Sequence, residues 1–142
     1  MTDKLALIIE DDIVVVEIFD QALRGANLTT ELICDGTTTQ KRLKELVPHI
    51  VVLDIHLPGI PGQYLLSQIR ADKRLEETIV LVATADAQMA DALSETSDFV
   101  LAKPVSFSQP RDLTLRLHDY YHGSTQVLPG GKIIISGYKT DV

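Results

Sequence analysis

Four apolar runs in this sequence each lead into residues able to do chemistry. Residues 5–9 run into Glu10, Asp11 and Asp12, residues 50–53 into Asp54, residues 79–83 into Thr84, and residues 99–101 through Ala102 into Lys103 and Pro104. Carboxylates gathered in one place repel one another and stay ionised only if a cation neutralises them. An all-oxygen donor set with few protein ligands and room for water suits a small hard cation, and so implies a Mg²⁺ site. That chemistry requires all four runs to end on the same side of one body.

The elements that could arrange this alternate regularly. Residues 5–9 have the nearly continuous apolar pattern of a strand buried on both faces of a parallel sheet. Residues 13–24 place Val15, Phe19 and Ala22 on one helical face, with Gly25 expected to end the helix in the left-handed conformation. A strand over 29–34, a turn at Asp35-Gly36 and a helix over 39–46 ending before Pro48 repeat the unit. A third strand over 50–53 leads through the stiff Leu57-Pro58-Gly59-Ile60-Pro61-Gly62 loop to a helix carrying Leu65, Leu66 and Ile69. Residues 79–83 and 99–101 give two more strands, 86–93 a weaker helix, and Leu113, Leu117 and Tyr121 a final helix. The expected fold is α/β: one doubly wound, flavodoxin-like domain with a five-stranded parallel sheet in order 2-1-3-4-5 and helices on both faces. Ligands of such sheets bind beyond the carboxyl ends of the strands, where the winding reverses and where these acidic residues lie.

Composition narrows the function classes. The chain has 142 residues, 45% of them hydrophobic, with 13 Lys and Arg against 20 Asp and Glu for a net charge of −7. This is one domain's worth of core, and it carries no basic stripe able to follow a phosphate backbone, so direct nucleic-acid binding is not expected. Cys34 is the single cysteine, in keeping with a reducing compartment, and no apolar run is long enough to span a bilayer. A cytoplasmic, membrane-free protein is expected. Residues 1–122 form the expected domain, and 123–142, with Gly123-Ser124-Thr125 and Pro129-Gly130-Gly131, read as a linker or tail. Within it, the apolar run Ile133-Ile134-Ile135 leaves three readings open: a strand added to a sheet edge, self-association as a homodimer, or the start of a further domain.

Ile9-Glu10-Asp11-Asp12, Leu53-Asp54-Ile55-His56-Leu57-Pro58-Gly59, Ala83-Thr84-Ala85 and Ala102-Lys103-Pro104 together resemble the receiver domains of two-component response regulators. Each motif alone is weak; four in this order are specific. The resemblance implies that Asp54 accepts a phosphoryl group from a sensor histidine kinase or phosphotransfer protein. It implies a metal, Mg²⁺ with Mn²⁺ able to substitute, held by Asp11 and Asp54, by Glu10 through water, and by the backbone carbonyl of His56. It further implies that Thr84 and Lys103 contact the phosphoryl group and that a cis Lys103-Pro104 bond aims the lysine. The altered surface would be read by a downstream output protein or by an output domain joined to the receiver.

Plainer roles exist for the same residues: Asp12 as a helix cap, Thr84 as a cap of the fourth helix, Lys103 as a surface lysine. His49, His56, His118 and His122 have no spacing resembling a metal-ligand set. Two departures from the receiver pattern bear on output. Receivers usually carry an aromatic residue three places before the lysine; here that position is Val100, and Phe99, one place earlier, is expected to face the other side of the strand. The stretch from Thr84 to Lys103 is also short by about three residues, which predicts a trimmed fourth helix or loop. Other readings are a phosphorylation-independent receiver-like adaptor, a dehalogenase-like hydrolase, in which His56 stands where a second acid is usual, and flavin binding, for which no Ser/Thr/Gly-rich loop follows the first strand.

Overall fold

The computed structural model describes residues 4–103 and the backbone of 133–135. Among these, β1 (Lys4–Ile9), β2 (Leu28–Ile33), β3 (Ile50–Asp54), β4 (Ile79–Thr84) and β5 (Phe99–Ala102) alternate with α1 (Ile13–Gly25), α2 (Gly36–Glu45), α3 (Gly62–Ala71) and α4 (Ala87–Leu93). All strand pairs are parallel, and the order 2-1-3-4-5 is as expected. A sixth strand, β6 (Ile133–Ile135), pairs in parallel with β5, which favours the edge-strand reading of that apolar run. The final helix expected around Leu113 to Tyr121, and the boundary expected at residue 122, lie outside the described residues.

Strict alternation divides the apolar side chains between two cores. Ala6, Ile8, Ile50, Val52, Leu81 and Phe99 point to the side of α1 and meet its Val15, Val16, Phe19 and Leu23. Leu7, Ile9, Val51, Leu53, Val80 and Val82 point the other way, onto Leu43 of α2, Leu65, Leu66 and Ile69 of α3, and Leu93 of α4. β1, β3, β4 and β5 are therefore apolar on both faces, which is why these runs lack the polar alternation of a half-exposed strand, whereas the edge strand β2 exposes Thr29 and Leu32.

Helix boundaries follow from caps. Asp12 starts α1 by accepting from the Val14 N–H at 3.0 Å, and Asp35 starts α2 by accepting from the Thr38 N–H at 2.7 Å. The expected turn at Asp35-Gly36 is thus the cap and first residue of α2, which begins three residues earlier than 39. Gly25 is the last residue of α1, and the left-handed residue is Asn27 at φ 66°, so the reversal falls two places later than expected. Asparagine tolerates that conformation because its short amide bonds locally.

An ion-pair clamp closes the amino-terminal edge of β4 and β5. Arg70 of α3 donates to the Thr96 carbonyl at 2.5 Å and to Asp98 Oδ2 at 2.8 Å, and the same oxygen accepts from the Val80 N–H at 2.8 Å. Replacing Asp98 leaves a backbone N–H and a guanidinium short of an acceptor. Asp98→Ala is expected to cost about 1–3 kcal/mol, seen as a lower urea midpoint with an unchanged slope, and Asp98→Asn less. An unmoved midpoint in the alanine variant would mean that the clamp contributes nothing net.

Candidate phosphoacceptor site

Register brings the chemistry together. Ile9 pairs with Leu53, so Glu10 and Asp54 emerge side by side at the carboxyl edge of the sheet. Asp54 pairs with Ala83, Thr84 pairs with Ala102, and the Lys103 N–H donates to the Thr84 carbonyl at 2.9 Å. Glu10 and Asp54 are only 2% and 3% exposed, while Asp11 projects into solvent. One carboxylate oxygen from each of Glu10, Asp11 and Asp54 lies within 4.8 Å of the others.

These carboxylates are held in different ways. Glu10 Oε2 accepts from the N–H groups of Asp11 and Asp12 at 3.1 and 3.2 Å, so the turn into α1 grips it. Its Oε1 faces the Lys103 ammonium at 2.8 Å, and that ammonium lies 3.3 Å from Asp54 Oδ1. The same Asp54 oxygen accepts from the His56 N–H at 3.0 Å. Burial raises the Glu10 pKa, Lys103 pulls it down, and the neighbouring Asp54 raises it again, for a net value of about 7. Burial acts against the charge on Lys103, but its contacts with Glu10 and Asp54 outweigh this and raise its pKa. The donor set is hard oxygen, one of its acids protonates near neutrality, and Lys103 pairs with two of the three acids; all of this fits a small divalent cation.

Glycines set the floor of the site. A Cβ on Gly62, the first residue of α3, would stand 2.7 Å from the Asp54 carbonyl oxygen and 2.6 Å from Ile55 Cα. The Gly62 N–H donates to the Ile55 carbonyl at 3.2 Å, closing the loop that follows Asp54 on itself. On its other flank, a Cβ on Gly36 would meet the Ile60 carbonyl oxygen at 2.5 Å, and the Gly36 N–H bonds the Pro58 carbonyl at 3.1 Å. Gly59, at φ 86°, makes the turn between them.

The structure thus gathers Glu10, Asp11, Asp54 and Lys103 and places the His56 backbone beside Asp54. Thr84 is fully buried at the end of β4, and its hydroxyl oxygen accepts from the Asp86 N–H at 3.1 Å. The cap of α4 is Asp86, whose Oδ1 accepts from the N–H groups of Gln88 and Met89 at 3.0 and 3.1 Å. Phe99 packs in the core on the side of α1, opposite to Val100, so no bulge turns it toward α4. The fourth helix, for which a trimmed helix or loop is expected, has seven residues. Pro104 lies outside the described residues. Sequence reasoning missed the direct Glu10–Lys103 pair and the part of Gly36 and Gly62; the Asp35-Gly36 and Pro61-Gly62 pairs were the available signal for the glycines.

A family model for the response regulator receiver domain matches residues 6–115. The chain belongs to that family: it is a receiver domain of the two-component response regulators. It is 30% identical to the DNA-binding response regulator MtrA of Mycolicibacterium paratuberculosis over 78% of this chain and 48% of that protein. It is 26% identical to the DNA-binding transcriptional regulator NtrC of Escherichia coli over the whole of this chain and 30% of that protein. The chain therefore spans half or less of the length of these curated relatives. A putative response regulator from Chloroflexus aurantiacus superimposes with a TM-score of 0.72 at 26% identity, covering 83% of this chain and 97% of that one. The receiver domain of the sensor histidine kinase PA1611 from Pseudomonas aeruginosa, with a magnesium ion in its active-site cleft, superimposes with a TM-score of 0.69 at 22% identity, covering 87% and 100%.

The Glu10 pKa fixes a pH dependence. The folded chain holds this proton up to about 7, whereas the ordinary value is 4.5, so the group's contribution to stability is complete below about 4.5 and lost as the pH rises through about 7. In chelator-containing buffer the melting temperature of the native chain is expected to fall relative to that of Glu10→Gln between about pH 5 and about pH 8. Parallel melting profiles for the two proteins would show that Glu10 titrates at its ordinary value.

Proposed function

We propose that Asp54 accepts a phosphoryl group from the phosphohistidine of a sensor histidine kinase or phosphotransfer protein, and that Mg²⁺ or Mn²⁺ assists. The observation that carries this reading is the placement of a buried aspartate among Glu10, Asp11 and Lys103 at the carboxyl edge of the sheet. An Asp54 carboxylate oxygen attacks phosphorus, the phosphorus–nitrogen bond of the donor breaks, and an acyl phosphate results. Such transfers need in-line positioning and charge neutralisation more than covalent help.

Asp11 and Asp54 would hold the cation directly, Glu10 through water, and the His56 carbonyl would complete the protein's share. When bound, the cation neutralises charge on the transferring group. Lys103 has a role in both states. Before transfer its ammonium offsets Glu10 and Asp54; afterwards it is within reach of a phosphoryl oxygen and offers a compact charge there. Thr84 donates its hydroxyl to another phosphoryl oxygen, a contact that the bare carboxylate does not offer. The PA1611 receiver, with magnesium in its cleft, supports the choice of cation.

The chain is on this reading a cytoplasmic signalling phosphoacceptor that assists its own phosphorylation and hydrolysis and does not turn over a free substrate. Residues 1–122 make up the receiver and 123–142 a linker or tail whose residues 133–135 add an edge strand to the sheet. A separate output protein, or an output domain of the kind that the names of MtrA and NtrC imply for those proteins, reads its state.

Intact-protein mass spectrometry after exposure to acetyl phosphate tests the proposal. One phosphoryl adduct is expected with Mg²⁺, none with chelator, and none in Asp54→Ala. An adduct that survives in Asp54→Ala would move the phosphoacceptor elsewhere, and no adduct in any sample would favour a phosphorylation-independent adaptor.

A further inference from the structure

β2 and β5, the outer strands of the five-stranded part of the sheet, are protected in opposite ways. β2 carries Thr29, Thr30 and Glu31 at its middle, exposed or half-buried, and Arg42 of α2 holds the Glu31 carboxylate at 2.6 Å. Polar and charged residues of this kind keep a strand edge from pairing with other chains. β5 has no such device: Phe99, Val100 and Leu101 are buried, and the strand contains neither a charge nor a proline. The Asp98 N–H donates to the Val80 carbonyl at 2.8 Å, so in alternation Phe99 and Leu101 direct their N–H groups away from β4. On that outer side lies β6, with Phe99, Val100 and Leu101 in register with Ile133, Ile134 and Ile135.

We propose that the outer edge of β5 is a strand-accepting site and that residues 133–135 are its resident, exchangeable occupant, so that another extended segment enters there only by displacing them. The inference stands apart from the phosphoacceptor reading. The edge offers backbone donors and acceptors on an uncharged strand, and the ligand suited to it is a short, uncharged, β-branched segment, which Ile133-Ile134-Ile135 is. Glycines at 131 and 137 flank that run, and glycine weakens a strand, so the match is confined to a few residues. A pairing this short is marginal by itself. Residues 104–132 join it covalently to β5, however, and a joined segment pairs again whatever the dilution, whereas a separate one has to reach concentrations on the order of millimolar to compete. β6 ends the sheet and pairs with β5 alone, so it can leave without breaking any other strand pair. The chain thereby closes an edge that its own sequence leaves undefended, with an element that a better-matched strand can replace.

Hydrogen exchange on the full chain tests this, with the Phe99 and Leu101 amides as reporters and those of Asp98 and Val100, which face β4, as controls. Ile134→Pro removes the backbone donor at the centre of β6. It is expected to speed exchange at both reporters by at least about threefold and to leave the controls unchanged, while Ile134→Val keeps the native rates. The peptide Gly-Lys-Ile-Ile-Ile-Ser-Gly, with the sequence of residues 131–137, should slow the reporters of Ile134→Pro again when added at about 1 mM. The same peptide with proline at its centre should not. If proline also speeds the controls, Ile134→Gly gives the same comparison with a milder change. Reporters that stay slow in both variants would show that residues 133–135 do not cover β5, and would overturn the proposal. Reporters that speed up but do not respond to the peptide would overturn the claim that the edge accepts a separate strand. Reporters of the native chain that speed up on dilution from about 100 to about 1 μM would place the covering strand on a second copy and overturn the intramolecular assignment.

Discussion

Burial of two neighbouring carboxyl groups, Glu10 and Asp54, is the constraint around which this domain is arranged. Parallel pairing in register forces two nearly buried carboxylates to the same edge of the sheet, where low solvent exposure strengthens their interaction and no water shell relieves it. The surrounding structure answers with fixed donors: two N–H groups from the turn into α1 on Glu10, the His56 N–H on Asp54, and Lys103 across both. The N–H donors are local to each carboxylate, but Lys103 reaches both only when β1, β3 and β5 are aligned. The apolar strands are therefore more than filler, because two cores, one on each face, hold a charged edge that would otherwise separate.

The same arrangement explains why neutralisation there is linked to the rest of the fold. A lysine delivered by β5 compensates an acid delivered by β1, so charge balance spans the sheet from its centre toward one edge. Thr84 sits between them on β4, and the Lys103 N–H is bonded to its carbonyl. A new charge at Asp54 is consequently felt on three strands at once.

Much of this was legible in the sequence, for specific reasons. The strands β1, β3, β4 and β5 are continuous apolar runs because both faces are covered, and their chemical residues fall at their ends, so Glu10, Asp11, Asp54, Thr84 and Lys103 could be placed at one edge of the sheet from order alone. The α2 start was misjudged because Gly36-Thr37-Thr38-Thr39 has weak helical propensity, and the Asp35 cap with its Thr38 contacts overrides it. The end of α1 was misplaced because glycine is the usual left-handed residue and here asparagine takes that role. The Glu10–Lys103 pair was not visible because pairing between residues far apart in the chain depends on side-chain reach as well as strand order. The glycine contacts escaped because they are distances between backbones, which periodicity does not encode.

Those glycines also limit how the domain can diverge. Glycine within a helix is ordinarily a place where alanine adds about 0.5–1 kcal/mol by stiffening the unfolded chain. At Gly36 and Gly62 the added methyl would run into the Ile60 carbonyl or into the backbone of Asp54 and Ile55. A commonly used stabilising exchange is therefore closed at the two helix starts that frame the loop, and selection for robustness has to act on other parts of the molecule. The acidic edge keeps its shape through close approach of backbones, so the chain's capacity to drift is least where it has the smallest side chains.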